Sequence, residues 1–247
     1  MVVARSTDPN FPWGYSTEAD NEALLLGMRG SSIFAFGKGL GLLILLFLAV
    51  YMPVFALAAA LRHSPALLVP VVIVLSLGIA AGLIVFFICS RGMSVGEFGL
   101  RWCPPSYVVV ALIVGLPLAL TATYYSVHAH EAGPLAGLSI SLATSIVYFG
   151  IGAPIQEEVI FRGLLQSVLA RSFTLREVSL HAAPLIVAVL FGVIHLVVGP
   201  VTAAAALVLG IAAGELRMRS ASLLPAVIMH ALFNLCGMFW PQALRQA

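Results

Sequence analysis

Charge is scarce in this 247-residue sequence. It has 12 Lys and Arg and 10 Asp and Glu, which make up 9% of the chain, against 61% hydrophobic residues. A soluble globular chain carries about 25% charged residues, so this one lacks the polar groups needed to cover a water-exposed surface. The shortage argues against an ordinary cytosolic enzyme, a nucleic-acid-binding protein and a disordered chain. The apolar content suits membrane-spanning α-helices and not a β-barrel, whose strands alternate apolar and polar residues.

Lysine and cysteine are scarce as well. Lys38 is the single lysine, and the composition rich in Ala, Gly, Leu and Arg is typical of bacteria with GC-rich genomes. The three cysteines are isolated and odd in number, so we predict no disulfide framework. The formal net charge of +2 is too small to indicate an acidic partner.

Long apolar runs follow one another along most of the chain, each near the ~20 residues that cross a bilayer. We predict an all-α fold, a polytopic transmembrane helix bundle of about seven spans, with six to eight as the range. Residues 1–32 are polar and lack a signal-peptide pattern, so we interpret them as a cytoplasmic tail that ends in an interfacial helix near Leu24–Met28. The transmembrane domain is residues 33–247, with predicted spans at Ile33–Leu61, Ala66–Ser90, Tyr107–Val127, Leu138–Ala170, Pro184–Val198, Val201–Gly214 and Ser222–Trp240.

The basic residues predict the orientation. With seven spans and the N-terminus inside, only Arg62 and Arg245 fall outside, and Arg162 lies within a span. Such an asymmetry follows the positive-inside rule. We therefore predict a cytoplasmic N-terminus and, given the composition, a bacterial inner membrane. Spans 5 and 6 are short, which leaves open whether they cross fully. The nine basic residues on the inner side are Arg5, Arg29, Lys38, Arg91, Arg101, Arg171, Arg176, Arg217 and Arg219.

The fourth span contains three charged residues, Glu157, Glu158 and Arg162. An ionisable group inside a span costs roughly 2.5–3.5 kcal/mol and indicates function by default. Glu158 and Arg162 are four residues apart on one helical face and can pair. Glu157 points about 100° away and has no partner nearby in sequence, which favours a general base or acid. Pro154, one turn earlier, is predicted to open the helix near these residues.

Two further spans carry isolated polar groups, His195 in the fifth and His230 with Asn234 in the seventh. At ~1.5 Å per residue, Glu157 lies roughly 21 Å from the inner end of its span, and the other three lie at comparable depth. We therefore expect these four residues to converge near the middle of the bilayer.

The order of these motifs resembles the CPBP family of intramembrane proteases, which comprises the type II CAAX prenyl endopeptidases and the bacteriocin-processing or immunity proteins also called Abi proteins. The resemblance covers about Leu138–Trp240, through Glu157-Glu158-x-x-x-Arg162, Phe191-x-x-x-His195 and His230-x-x-x-Asn234. Gly96-Glu-Phe-Gly-Leu-Arg101 also resembles a short segment common in the family.

The resemblance implies a role for each residue. Glu157 and His195 would activate a water that attacks the scissile carbonyl, and Glu158 would pair with Arg162 to hold the fourth span. His230 and Asn234 would donate hydrogen bonds to the oxyanion. The substrate would be a membrane-embedded peptide that is lipidated or carries a leader or signal sequence. If the source is bacterial, a leader is the favoured feature.

Metal dependence is open at this point, because the family has been described as metalloproteases. A zinc ion would be held by Glu157, His195 and His230, a His₂Glu set of the catalytic kind. The sequence has no HExxH motif, and Asn234 suits an oxyanion better than zinc, so we favour a metal-free glutamate mechanism with no cofactor.

Two other functions compete with the protease. A non-catalytic membrane scaffold or chaperone subunit of the same fold would use the buried network for folding alone. A transporter or proton channel would use buried Glu and His as a relay. Against the relay, the sequence has no inverted repeat, and its polar groups cluster in three spans.

Overall fold

We describe the fold from a computed structural model, which covers residues 30–61, 64–129, 141–174 and 182–244. These ranges contain helices and no strand, which confirms the predicted all-α fold. The predicted interfacial helix near Leu24–Met28 lies outside the described residues. The described residues form seven helices, α1 (Gly30–Ala60), α2 (Pro65–Arg91), α3 (Pro105–His128), α4 (residues 142–174), α5 (Ala182–Ile194), α6 (Pro200–Ser220) and α7 (Leu224–Leu244).

In the part of the chain that the structure describes, four helices have the length and apolar composition to cross a membrane, namely α1, α2, α3 and α6. α5 and α7 contribute the shorter apolar stretches Ala182–Val197 and Leu224–Phe239. Large apolar side chains such as Leu45, Val74 and Ile113 point outward and are more than half exposed. An apolar exterior of this kind is suited to lipid tails rather than to water.

The predicted short sixth span is wrong. α6 runs on to Ser220 as a helix of 21 residues, beyond the predicted end at Gly214. Arg217 and Arg219 end the apolar run but not the helix, which stops at Ala221 in the left-handed conformation. The preceding turn at Gly199-Pro200 is present as predicted, with Pro200 as the first residue of α6.

α4 is the central helix and is continuous but irregular. It consists of the α-helical segments Leu142–Ser145, Ala153–Glu158 and Gln166–Thr174, separated by the π-helical segments Ile146–Gly152 and Val159–Leu165. Its second half supplies fully buried side chains to the core. π-helical turns are rare and are frequent at functional sites, and here they lie on both sides of the two glutamates. These core side chains are Ile160, Phe161, Leu164 and Leu165.

α5 and α6 pack closely through small residues. A methyl group on Gly192 would lie 3.0 Å from Leu207, and one on Gly210 would lie 3.0 Å from Ala188. A methyl group on Gly214 would lie 2.9 Å from Pro184. Glycine and alanine at such positions allow the two backbones to approach, which is how helices associate in lipid.

One end of the bundle is closed by the short 3₁₀ turn Val95–Phe98 between α2 and α3. Ser94 and Glu97 cap this turn reciprocally, and Phe98 is fully buried. The Glu97 carboxylate accepts from Arg171 at 3.2 Å, and the Glu97 carbonyl accepts from the buried Arg217 at 2.8 Å. Arg171 and Arg217, two of the nine residues predicted to lie on the inner side, therefore meet at this end.

Candidate active site

Glu158 and Arg162 form the predicted pair. Nη1 of Arg162 donates to Oε1 of Glu158 at 2.9 Å, and both side chains are fully buried. The two residues lie across the start of the second π-helical segment of α4, and the four-residue spacing still places them together. A buried pair of this kind leaves the Glu158 carboxylate neutralised by the Arg162 cation.

His230 of α7 lies between the two glutamates. Its Nδ1 is 2.8 Å from Oε1 of Glu158, and its Nε2 is 3.7 Å from Oε2 of Glu157. Because Glu158 is paired with Arg162 as a carboxylate, it accepts, and the proton on Nδ1 of His230 points to it. The contact with Glu158 therefore orients the ring so that Nε2 faces Glu157.

The two adjacent glutamates have different surroundings. The Glu158 side chain is 0% exposed and is held by two donors, whereas the Glu157 side chain is 22% exposed. Within the described part of the chain, each glutamate keeps a buried Oε2 with no hydrogen-bond partner, so the difference lies in the exposure and in the donors at Oε1 of Glu158. Glu157 is thus the more accessible of the two carboxylates.

His195 lies where α5 passes into a 3₁₀ turn, His195–Val197. Its Nδ1 is 2.7 Å from the carbonyl oxygen of Phe191, and a carbonyl only accepts, so Nδ1 donates. In the neutral ring this leaves a lone pair on Nε2, which is the form that a general base needs.

Phe191 connects the charged pair to both imidazoles. Its ring centroid is 4.5 Å from that of His195 and 5.7 Å from that of His230. The guanidinium carbon of Arg162 lies 4.5 Å from the same centroid, within range of a cation–π interaction. The sequence motif contained Phe191, but we had assigned it no role, because a phenylalanine in an apolar helix has no distinctive signal.

Asn234 also faces α4, at a different point. Its Nδ2 donates to the carbonyl oxygen of Phe149 at 2.8 Å, eight residues before Glu157. The structure thus brings Glu157, Glu158, Arg162 and His230 into one group. His195 joins this group through the Phe191 ring. Asn234 contacts α4 at Phe149, ahead of the two glutamates in the chain.

Tyr51 of α1 is a neighbour of the site that sequence reasoning missed. It is buried, its ring lies 6.1 Å from that of Phe161, and its side chain interacts with Gln156 and with the charge of Glu157. Nothing distinguishes this tyrosine from other span residues in the sequence.

The donors present do not fit the zinc site of the alternative hypothesis. Among the described residues, no three His, Cys, Asp or Glu side chains lie together in an arrangement that could hold a metal ion. We therefore derive no step through a metal.

The fold and the site define a class of protein: a polytopic helical membrane protein with a buried carboxylate–imidazole cluster. Residues 139–236 match the family model described as "Type II CAAX prenyl endopeptidase Rce1-like". This match confirms the resemblance of that segment to the CPBP proteases. No curated protein and no solved structure matches the chain significantly.

The matched range contains all six predicted site residues and excludes Tyr51. The match supports a CAAX-type intramembrane endopeptidase in general terms. Together with the apolar helices, it supports an integral membrane protein.

Proposed function

We propose that this protein hydrolyses a peptide bond of a membrane-associated substrate with a water molecule activated by Glu157 and His195. The observation that carries the proposal is the difference between the two glutamates. Glu158 is fully buried and its Oε1 is held by Arg162 and His230, whereas Glu157 is 22% exposed and lies 3.7 Å from Nε2 of His230. A carboxylate that is partly exposed and not held by strong donors is suited to general base catalysis.

In this mechanism the water oxygen attacks the scissile carbonyl carbon while one water proton passes to the base. The Glu157 carboxylate takes this proton, and Nε2 of His195 orients the water through its lone pair. The proton is then delivered to the amine nitrogen as the carbon–nitrogen bond breaks. Each step uses only the peptide, one water and side chains of this chain.

The oxyanion of the tetrahedral intermediate needs hydrogen-bond donors. We assign one to His230, which donates through Nε2 when both ring nitrogens carry protons. Two glutamates, Arg162 and a protonated His230 together are electrically neutral, which suits a buried cluster. Asn234 has two N–H groups, and since one is bonded to Phe149, the other is the one available to a substrate.

The proposed substrate is a lipidated, leader-bearing or signal-bearing peptide, and the location is the bacterial inner membrane with the N-terminus in the cytoplasm. In support, the arginines from separate segments that meet near Glu97 define a basic end of the bundle. Basic ends of membrane proteins face the cytoplasm.

Purified protein in liposomes should be tested on three peptides: one farnesylated with a CAAX C-terminus, its non-prenylated counterpart and one with a bacterial leader. We expect cleavage of at least one, and Glu157→Gln should lower kcat by about 100- to 10,000-fold. Glu215→Gln is the matched control, because Glu215 pairs with Arg219 away from the site. A chelator should leave the rate unchanged.

A rate that survives Glu157→Gln would contradict the proposal. If none of the three peptides is cleaved, membrane peptidomes of cells that express wild type or Glu157→Gln should be compared for accumulated precursors. Identical peptidomes would favour the scaffold hypothesis, in which the buried Glu158–Arg162–His230 contacts serve folding alone. Chelator inhibition with stoichiometric bound zinc would favour the metal-dependent alternative.

A further inference from the structure

The first half of α4 contains a carbonyl group that the helix itself does not satisfy. In the π-helical segment Ile146–Gly152, the hydrogen bonds reach one residue further than in an α-helix. The N–H of Ala153 accordingly donates to the carbonyl of Tyr148, five residues back. It is therefore turned away from Phe149, its acceptor in an α-helix.

The next residue cannot replace this donor. The residue five positions after Phe149 is Pro154, and proline has no N–H. The Phe149 carbonyl thus lacks a donor in both the α and the π pattern. A backbone carbonyl without a partner inside an apolar span is costly, so a donor must come from elsewhere.

Asn234 of α7 supplies that donor. Its Nδ2 lies 2.8 Å from the Phe149 oxygen, and this is the hydrogen bond that the structure gives for the Asn234 amide. The helices also approach closely at the next residue of each. A methyl group added to Gly150 would lie 2.7 Å from the side chain of Leu235, the residue after Asn234. The segment and α7 therefore fit together closely at this level.

We infer that Asn234 is a positioning residue: its side-chain amide takes the place of the N–H that Pro154 lacks and holds the π-helical segment that leads to Glu157. A change between π and α hydrogen bonding removes one residue from a turn, which rotates everything beyond it by about 100°. Fixing this segment therefore fixes the direction of Glu157. The inference rests on the proposed function only where it concerns catalysis.

A double-mutant cycle tests this role. In Pro154→Ala, residue 154 gains an N–H that can bond to the Phe149 carbonyl. We expect Asn234→Ala to lower the thermal unfolding midpoint in detergent, and Pro154→Ala to restore most of the loss in the double variant. Pro117→Ala is the control, since Pro117 is a helix-interior proline of α3 on the exposed surface and should restore nothing.

Activity gives the second arm of the test. Asn234→Ala should lower kcat by up to about 100-fold with KM nearly unchanged. Pro154→Ala should recover the part of that loss that comes from the position of Glu157, while the part that comes from the lost oxyanion donor remains. An Asn234→Ala effect that is the same in both backgrounds would overturn the inference. So would a recovered midpoint with no recovery of kcat at all. If the wild type cleaves no peptide, the midpoints still decide whether Asn234 holds the segment, while the proposed function fails separately.

Discussion

Oε1 of Glu158 lies 2.8 Å from Nδ1 of His230, and this contact joins α4 to α7 through two buried side chains. Because the same oxygen accepts from Arg162, Glu158 serves as a fixed acceptor rather than a reactive group. The orientation of His230 towards Glu157 follows from it. One glutamate of the adjacent pair thus arranges the site in which we propose that the other acts.

The contact between Glu158 and His230 should be strongly coupled. In a cycle of Glu158→Gln and His230→Ala, we expect a coupling energy of about 1.5–3 kcal/mol, as for hydrogen bonds to charged groups. Unfolding of the wild type and the three variants in mixed micelles of increasing SDS content measures this coupling energy. The exposed pair Glu215–Arg219 is the control and should give less than about 1 kcal/mol. Equal coupling in the two pairs would contradict the assignment.

Arg162→Met should destabilise the fold by about 3–5 kcal/mol, because it leaves the Glu158 carboxylate buried without its cation. It also removes the cation from the Phe191 ring. The measurement is again SDS-induced unfolding, together with the amount of protein in the membrane. Adding Glu158→Gln to Arg162→Met should recover part of the loss, since no uncompensated charge remains. A double variant less stable than Arg162→Met would argue against this account.

The predictable and unpredictable parts of this structure have different physical origins. The pairing of Glu158 with Arg162 follows from helical spacing alone. The membrane helices follow from the length of the apolar runs, and their predicted orientation follows from the asymmetry of the basic residues. The π-helical segments could not be predicted, because the extra residue in a turn has no sequence pattern of its own. Pro154 indicated a local opening of the helix but not its hydrogen-bond pattern. The bond of Asn234 to a backbone carbonyl depends on that irregularity and was missed with it.

Gly210 is expected to be essential for the packing around Arg162. A methyl group there would lie 3.0 Å from Ala188 and 3.2 Å from Nη2 of Arg162, so Gly210→Val must displace α5 or the guanidinium. We expect a loss of about 1–3 kcal/mol in SDS unfolding. Gly82→Val, on the exposed face of α2 with no atom within 4 Å of the added methyl, should cost less. Equal losses of stability in Gly210→Val and Gly82→Val would show that close packing against Ala188 and Arg162 does not determine the cost.

Gly99 and Gly92 form a matched pair for a final test of how the basic end is held. Both have a left-handed backbone, with φ of 77° and 62°, so alanine at either position should cost about 1–2 kcal/mol from the backbone alone. A methyl group on Gly92 meets open space, whereas one on Gly99 collides with the guanidinium of Arg217. Gly99→Ala should therefore displace Arg217 from the Glu97 carbonyl and cost more.

The difference between the two variants isolates that collision. In an Arg217→Ala background the guanidinium is gone, so Gly99→Ala and Gly92→Ala should become equally destabilising in SDS unfolding. Movement of this turn would also affect the site, because the turn packs against α4 beside Arg162. A methyl group added to Gly163 would lie 3.5 Å from the Phe98 carbonyl oxygen. If Gly99→Ala stays the more harmful change without Arg217, the turn is held by other contacts, of which the bond from Leu223 N–H to the Gly99 carbonyl at 2.9 Å is the first to test.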